Sequence, residues 1–487
     1  EYKNQQTRGW DLAISLLDKK GNLQAKRRLG LPGNDINHCV AAAPNGNLWV
    51  AWMADNHGQW DIFAAQFSPL AKGIFASPVK KISSSLRGDW FPDISVQDNG
   101  DVCIVWDTYT GTSYDVVCRW LIGDQLSAVY SVASGPEFQG YARVAGDGSE
   151  RTYVLWEEGA VNWGGRYGGN AKDWNNVRDD SGPLHRFRKL GMMSITKDGQ
   201  GRRLQKAIPH PWLHSGQAQG LRSGVSKLGT FYEKGRVAVE PSGRVWIAYK
   251  HFVHAQCGTK EPTRHHVYEG FGVYARFLDA EGWSAAYSSP HRQGDGAQSL
   301  EVLAHQGGAS FVWTTGRTDR RKNEGPRGLV LAEAKPADHS PGRPELEAGR
   351  PLQEVQPASR SATFSRPASD SSDGYHLLKG DLHRHTDLSL CFPFYDGTVV
   401  DQYRYGIDVA RLDFLGITDH NTTRHCEVMQ QIGAREGIHI LCGAEINTRE
   451  EVHCLAFFED PGNLKIFEQL MEKHLPDIKN DPEKFGY

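Results

Sequence analysis

The stretch PNGNLWVAWMADNHGQWDIFAAQF, from Pro44 to Phe67, decides the fold because the chain repeats it. QDNGDVCIVWDTYTGTSYDVVCRW, from Gln97 to Trp120, aligns with it without a gap at an offset of 54 residues, so that Gly46 matches Gly100. In both copies apolar residues alternate with polar ones on either side of an Asn-Gly turn. This pattern predicts two half-buried strands joined as a β-hairpin.

Shorter copies of the unit occur along the first two thirds of the chain. They are RTYVLWEEG from Arg151, GRVWIAYKHF from Gly243 and ASFVWTTGR from Ala309, with a half unit, WDLAISLLDKKG, from Trp10. Repeats of about 40–50 residues with about four strands each are typical of β-propellers. We therefore predict an all-β propeller over residues 1–335, with five or six blades in a ring that these residues need not complete. The turn pattern loosely resembles that of TolB-type propellers.

The recurring tryptophan of the repeat, Trp52 and Trp106 in the two long copies, is predicted to pack between blades. A ligand-binding role for it is the alternative. The insertion NWGGRYGGNAKDWNNVRDDSG, residues 162–182, places Trp163, Tyr167 and Trp174 among amides and carboxylates. Long loops on rigid rims often bind ligands, so this one is a candidate for a glycan or protein ligand, or else a self-packed surface loop.

Composition sets limits on the partners. Lys and Arg number 55 against 58 Asp and Glu, which gives a net charge of −3 and no general field to attract nucleic acid. There is no apolar run long enough to predict a membrane span. The chain opens without Met or an apolar signal core, which suggests a removed leader or a fragment. A secreted, periplasmic or cytoplasmic location remains open.

Composition changes abruptly after residue 335. Residues 336–374 are dense in Pro, Ser and charge and nearly without aromatic residues, which predicts a linker. From Tyr375 to Tyr487 apolar strand patterns alternate with helical ones, which predicts an α/β domain with a parallel sheet or barrel.

Polar residues fall at the ends of these predicted strands. His383 and His385 end the first strand on one face, Asp419 and His420 end the second, and Glu445 ends the third. A further histidine, His453, lies in the fourth strand. Imidazole and carboxylate are ligands for zinc, manganese or iron, and a glutamate can bridge two cations. The pattern predicts a site for divalent metal ions.

The segments GDLHRHTDLS, ITDHN, GAE and EVHCLAFF resemble the first four motifs of the PHP (polymerase and histidinol phosphatase) family. The resemblance implies that His383 and His385 bind one metal ion. It also implies that Glu445 bridges this ion to a second, which His453 binds, that His420 serves a third, and that Asp419 orients a ligand. In this interpretation Glu445 and Asp419 are the catalytic residues.

Two departures from the family pattern limit the prediction. Leu390 stands where many members place an Asp or His ligand of the third ion, so two ions are predicted and the third lacks one of its ligands. Asp387, Cys391 and Asp396 are candidate substitutes. Residues 375–487 also supply only four of the seven strands of the family barrel, so we expect the N-terminal half of a (β/α)7-type barrel from a truncated chain.

The resemblance implies a metal-dependent phosphoesterase that acts on a phosphorylated small molecule or nucleotide, with the propeller as a binding or targeting module. Two alternatives stay open. One is a non-catalytic propeller binding protein with a degenerate PHP domain, and the other is an amidohydrolase-type C–N hydrolase.

Overall fold

The structure is a computed structural model. It describes residues 2–474 except 4–9, 56–58, 71–72, 86, 150, 162–187, 210–231, 257–266, 289–298, 316–327, 337–341, 357–376, 387, 390–396, 437, 449–451 and 461.

Antiparallel sheets make up the described part of the chain up to Pro351. The first sheet comprises β1 (Tyr2–Lys3), β2 (Trp10–Leu17) and β3 (Leu23–Leu29). Blade 1 comprises β4 (Asp35–Ala42), β5 (Leu48–Asp55), β6 (Trp60–Leu70), β7 (Gly73–Ala76) and β8 (Lys80–Lys81). Blade 2 comprises β9 (Asp89–Val96), β10 (Val102–Tyr109), β11 (Tyr114–Ile122) and β12 (Gln125–Ala133).

Three more blades follow. Blade 3 comprises β13 (Glu137–Gly146), β14 (Thr152–Val161), β15 (Lys189–Ile195), β16 (Gln200–Arg203) and the later β25 (Arg350–Pro351). Blade 4 comprises β17 (Tyr232–Val239), β18 (Val245–Gln256), β19 (Val267–Asp279), β20 (Gly282–Trp283) and β21 (Tyr287–Ser288). Blade 5 comprises β22 (Leu300–His305), β23 (Gly308–Thr315) and β24 (Gly328–Ala334).

These sheets form a five-bladed β-propeller, which confirms the predicted fold of this region. The first strand of each blade contacts the first strand of the next, from β4 through β9, β13 and β17 to β22. The hairpin turns contain glycine where the backbone requires it. Gly46 and Gly100 adopt φ of 81° and 87°, a left-handed conformation that residues with a side chain seldom adopt. The first sheet packs on blade 1 through β2 and β3.

The recurring tryptophan does more than fill space. Trp52 and Trp106, on the second strands of blades 1 and 2, are 0% and 2% exposed. Each indole Nε1 donates a hydrogen bond to a buried aspartate 17 residues earlier: Trp52 to Asp35 at 2.8 Å and Trp106 to Asp89 at 2.9 Å. The repeated unit therefore ties its first strand to its second by an Asp–Trp pair, because a buried indole N–H needs an acceptor.

The C-terminal unit follows the predicted order of elements. It comprises β26 (Gly380–Arg384), α1 (Val399–Arg404), a π-helical turn (Tyr405–Ala410), β27 (Phe414–Ile417), α2 (Cys426–Glu436), β28 (His439–Asn447), β29 (His453–Phe457) and α3 (Gly462–His474). Thr398 caps α1 by accepting from the backbone N–H of Asp401, whose carboxylate accepts from the Thr398 N–H in return.

The predicted barrel is wrong for the part of the chain that the structure describes. The strands form an open sheet in the order β26-β27-β28-β29, in which the first two pairs are parallel and β28 pairs with β29 antiparallel. Residues 448–452 join β28 to β29, and so short a connection makes a hairpin, whereas a parallel crossover needs a dozen residues or more.

The predicted linker includes a segment that pairs with the propeller. β25 pairs with β16, Leu346 bridges to Leu204, and Glu354 bridges to Tyr130. Backbone pairing of this kind orders a polar sequence without a core of its own. Among the described residues, no helix has the length and apolarity of a membrane span.

Candidate metal centre

The His-x-His segment is held at the end of β26. His383 lies within β26 and His385 follows it, so the alternation of the strand points both side chains to one face. The backbone N–H of Thr418, at the end of β27, donates to the carbonyl of Arg384 at 2.8 Å. The two histidines are therefore fixed against the neighbouring parallel strand.

Glu445 is the centre of the cluster. His383 Nε2 lies 2.7 Å and His385 Nε2 2.6 Å from the same carboxylate atom, Glu445 Oε2, and the two ring nitrogens are 3.2 Å apart. The ligand atoms of these three residues all lie within 4.8 Å of one another. The structure thus brings together residues that are 60 or more positions apart in the sequence.

His420 and His453 complete the cluster from the other side. His420 forms a parallel bridge with Glu445, and its Nδ1 lies 3.7 Å from Glu445 Oε2. His453, at the start of β29, places its Nδ1 in close contact with Glu445 Oε1. The two carboxylate oxygens therefore face different histidines, as a bridging carboxylate does.

The side chains of the cluster differ in their exposure to solvent, and we call the buried ones (Glu445, His385 and His420) the floor. The side chain of Glu445 is 1% exposed, and those of His385 and His420 are 15% and 18% exposed. His383 and His453, at 48% and 54%, face solvent. The cluster is open on one side, where a ligand can enter.

Burial sets the protonation states. Desolvation lowers the pKa of His385 and of His420, although the charge of Glu445 acts to raise both. Burial acts to raise the pKa of Glu445, but the hydrogen bond with His383 and the charges of His420 and His385 outweigh it and lower the pKa. At neutral pH the floor therefore consists of neutral imidazoles around a carboxylate, the protonation states that metal ligands require.

Asp419 does not reach the cluster with its side chain. Its Oδ1 accepts from the Thr386 N–H at 2.7 Å and from Ser389 Oγ at 2.6 Å, and its Oδ2 accepts from Thr386 Oγ1 at 2.8 Å. Ser389 Oγ in turn accepts from the backbone N–H of His420 at 3.0 Å. Asp419 fixes the turn after His385 and thereby holds the backbone at His420.

Sequence reasoning missed Thr386, Ser389 and Asn447. Asn447 Nδ2 lies 3.2 Å from His453 Nε2, and its backbone N–H donates to Asn421 Oδ1. The sequence did carry a signal for these residues, since each is a short polar side chain close to a predicted ligand. An imidazole that binds a metal needs a hydrogen-bond partner for its second ring nitrogen.

Some predicted candidates lie outside the described residues. These are Leu390 and its candidate substitutes Asp387, Cys391 and Asp396, together with Trp163, Tyr167 and Trp174 of the long loop.

No protein-family model matches the chain, and no curated protein matches it. Among solved structures it is similar to a family 25 polysaccharide lyase, an ulvan lyase, at 10% identity with a TM-score of 0.38 over 67% of this chain and 73% of that one. An α-L-arabinanase of Penicillium chrysogenum with arabinobiose gives 11% identity and a TM-score of 0.36 over 64% and 81%. A family 93 α-L-arabinofuranosidase of Fusarium graminearum with arabinobiose gives 9% and 0.30 over 61% and 92%.

These comparisons contradict the predicted identity. The similar structures named here are glycoside hydrolases and a polysaccharide lyase with β-propellers, and the comparisons give no evidence of a PHP domain. The prediction that the chain is a PHP protein behind a TolB-like propeller is therefore wrong. The predicted phosphoesterase activity with its two alternatives is wrong as well, and so is the predicted phosphorylated substrate. With TM-scores below 0.5, the similarities assign no site or substrate to this chain.

Proposed function

We propose that the C-terminal unit is a divalent transition-metal centre whose ligands are His383, His385, Glu445, His420 and His453. The observation that supports it is the convergence of two imidazole Nε2 atoms, 3.2 Å apart, on one oxygen of a carboxylate that is 1% exposed. Two nitrogens bound at about 2.0–2.1 Å to a tetrahedral ion lie about 3.3 Å apart, which agrees with the spacing of His383 and His385.

The donor set fits such an ion. Imidazole nitrogens with a carboxylate suit zinc, manganese or iron, whereas calcium and magnesium prefer oxygen ligands alone. His420 Nδ1 is buried without a hydrogen-bond partner among the described residues, which is costly unless something else satisfies it. A cation beside Glu445 would satisfy that lone pair.

The two oxygens of Glu445 suggest places for two ions. His383 and His385 would hold one with Oε2, and His453 would hold the other with Oε1, with His420 beside them. A bound ion supplies Lewis acidity to whatever ligand enters from the open side. The chain's own contribution is to fix the imidazoles and to keep Glu445 ionised in a buried position.

Metal content tests the proposal. Purified protein is loaded with zinc, manganese or iron, freed of excess metal and measured by elemental mass spectrometry. We expect one to two equivalents in the wild type and a loss in His383→Ala/His385→Ala. His439→Ala is the matched control, because His439 is exposed at the other end of β28 and should keep full metal content. A wild type without metal, or equal content in all three proteins, refutes the proposal.

We propose carbohydrate as a second, separate ligand class, for the propeller. The observation that favours it is the composition of residues 162–182, in which Trp163, Tyr167 and Trp174 stand among amides and carboxylates. Aromatic faces stack on sugar rings while amides and carboxylates bond hydroxyl groups. Binding to a panel of plant and algal polysaccharides, lost in Trp163→Ala/Trp174→Ala and kept in the His383→Ala/His385→Ala variant, supports this proposal; no binding to any polysaccharide rejects it.

A further inference from the structure

Helix α1 is inserted into the propeller. Tyr403, which is 0% exposed, meets Trp60 and Trp90 edge-on, with ring centroids 6.5 and 6.2 Å apart, while those two indoles stack on each other at 5.6 Å. One hydrophobic cluster contains residues of blades 1 and 2 together with residues of α1, β27 and α2. The C-terminal unit and the propeller therefore share a core.

Arg404, the last residue of α1, lies inside a pocket made by blades 2 and 3. Its side chain is 1% exposed, its NH1 donates to Asp107 Oδ2 at 3.0 Å, and its Nε lies 3.3 Å from Asp401 Oδ1. Four aromatic rings surround the guanidinium carbon at centroid distances of 4.6–5.3 Å, namely Phe91, Tyr114, Phe138 and Tyr141. Two carboxylates and four aromatic rings stabilise the buried positive charge, although the Nε and NH2 atoms of Arg404 have no hydrogen-bond partner among the described residues.

Two of the four rings stand at strained backbone positions. Phe91 and Tyr141 adopt φ of 50° and 53°, a left-handed conformation that is unusual for aromatic residues. Both lie at bulges in the first strands of their blades, where the pairing register shifts. Asn37 and Lys234 adopt the same conformation at the register shifts in the first strands of blades 1 and 4, so the bulge is a feature of the repeated unit. In blades 2 and 3 it places an aromatic ring beside Arg404.

The same helix reaches the metal centre. Gln402, which is 3% exposed, accepts hydrogen bonds on Oε1 from Arg384 Nε at 3.2 Å and from Arg384 NH2 at 3.1 Å. Arg384 is the residue between His383 and His385. Two residues of α1 thus connect the propeller to the strand that carries the proposed metal ligands.

We propose that the pocket of Asp107, Phe91, Tyr114, Phe138 and Tyr141 is a guanidinium-binding site whose ligand is the chain's own Arg404, and that this contact positions the His383–His385 strand through Gln402 and Arg384. The effect on metal binding rests on the proposed metal centre. The guanidinium site itself does not, because it is built from residues that take no part in that centre.

The test compares the amide hydrogen exchange of metal-free proteins over residues 380–384 and 399–410. Arg404→Ala and Asp107→Asn should exchange faster by about tenfold or more in both segments, since local opening then no longer has to break the buried contact. Asp89→Asn is the matched control, because Asp89 is equally buried in blade 2 but bonds Trp106. It should leave both segments at wild-type rates.

Chemical rescue separates a binding site from mere packing. Ethylguanidinium, on the order of 10 mM, should restore slow exchange in Arg404→Ala, while ethylammonium, which lacks the planar fork, should not. Neither cation should rescue Asp107→Asn. Should Arg404→Ala not fold, Tyr114→Phe removes only the hydroxyl that donates to the Arg404 carbonyl and Asp408, and the same two segments are compared.

Any one of three results overturns the guanidinium site: wild-type exchange in Asp107→Asn, equal acceleration in Asp89→Asn, or rescue by both cations. Metal titration of the same proteins then tests the link to the metal centre. Weaker binding in Asp107→Asn but not in Asp89→Asn supports the link, and equal binding in both removes it. A wild type that binds no metal refutes the metal centre alone, since the exchange data still decide the pocket.

Discussion

Asp408 makes a sensitive test of how the propeller and helix α1 are joined. Its Oδ2 accepts from Tyr114 Oη at 2.6 Å and from Trp90 Nε1 at 3.1 Å. Burial raises the pKa of Asp408 to about 7, although these hydrogen bonds and the charge of Arg404 act in the opposite direction. We predict that Asp408→Asn removes part of the pH dependence of folding, because asparagine accepts the same hydrogen bonds and does not titrate.

The direction and the size of this change in stability follow from the linkage between proton binding and folding. A carboxyl whose folded pKa lies above its ordinary value of 3.8 contributes its full stability below that value and loses it as the pH rises towards about 7. The interval corresponds to at most about 4 kcal/mol, at about 1.4 kcal/mol per pKa unit. The free energy of unfolding of Asp408→Asn should therefore rise relative to the wild type by about 2–4 kcal/mol between pH ~4 and pH ~7.5.

Urea unfolding followed by tryptophan fluorescence at several values from pH ~4 to pH ~7.5 measures this difference. Asp35 and Asp89, whose pKa values burial also raises to about 7, remain in both proteins and cancel in the comparison. Asp124→Asn is the control, since the Asp124 side chain is 97% exposed. If the difference between Asp408→Asn and the wild type is the same at every pH, Asp408 does not titrate as its burial requires and the reasoning fails.

Three further predictions concern the metal centre and the blades. Glu445→Gln should weaken metal binding roughly 10²- to 10³-fold in a chelator competition, since a structural zinc ion gains about 2.5–4 kcal/mol per ligand; unchanged affinity would exclude Glu445 as a ligand. Asp419→Ala should lower stability by about 2–4 kcal/mol in thermal unfolding, because three donors lose their acceptor; an unchanged melting temperature contradicts this. In urea unfolding, Trp106→Phe should lower the free energy of unfolding by about 1–3 kcal/mol more than Trp156→Phe does, because the indole N–H of Trp156 has no partner among the described residues. Equal losses would mean that the hydrogen bond from Trp106 to Asp89 contributes nothing.

Much of the fold was predictable because its signals are local. Strand alternation and Asn-Gly turns at a fixed spacing identify hairpins, and their repetition identifies blades. In the C-terminal unit the same reasoning located β26, β27, β28 and β29 and the helices between them. The error concerned pairing: a connection as short as residues 448–452 turns the fourth strand back, and chain length there should have outweighed the expectation of a parallel barrel.

The identity was wrong for a related reason. Short motifs such as GDLHRHTDLS report which ligands stand near one another, but they do not report what surrounds them. The four motifs cover few residues of the chain, and no family model matches the chain. A set of ligands can recur on different folds, so motif resemblance alone does not establish a function.

The sequence by itself determined the repeat, the order of the elements and the candidate ligands, because each depends on residues that are close in the chain. Only the tertiary structure decided that His383 and His385 both contact one oxygen of Glu445, that Asp419 bonds Thr386 and Ser389, and that Arg404 is buried against Asp107. These contacts join positions from 30 to almost 300 residues apart. No local pattern specifies them, because they form only when packing brings separate elements together and burial then requires that each polar group find a partner.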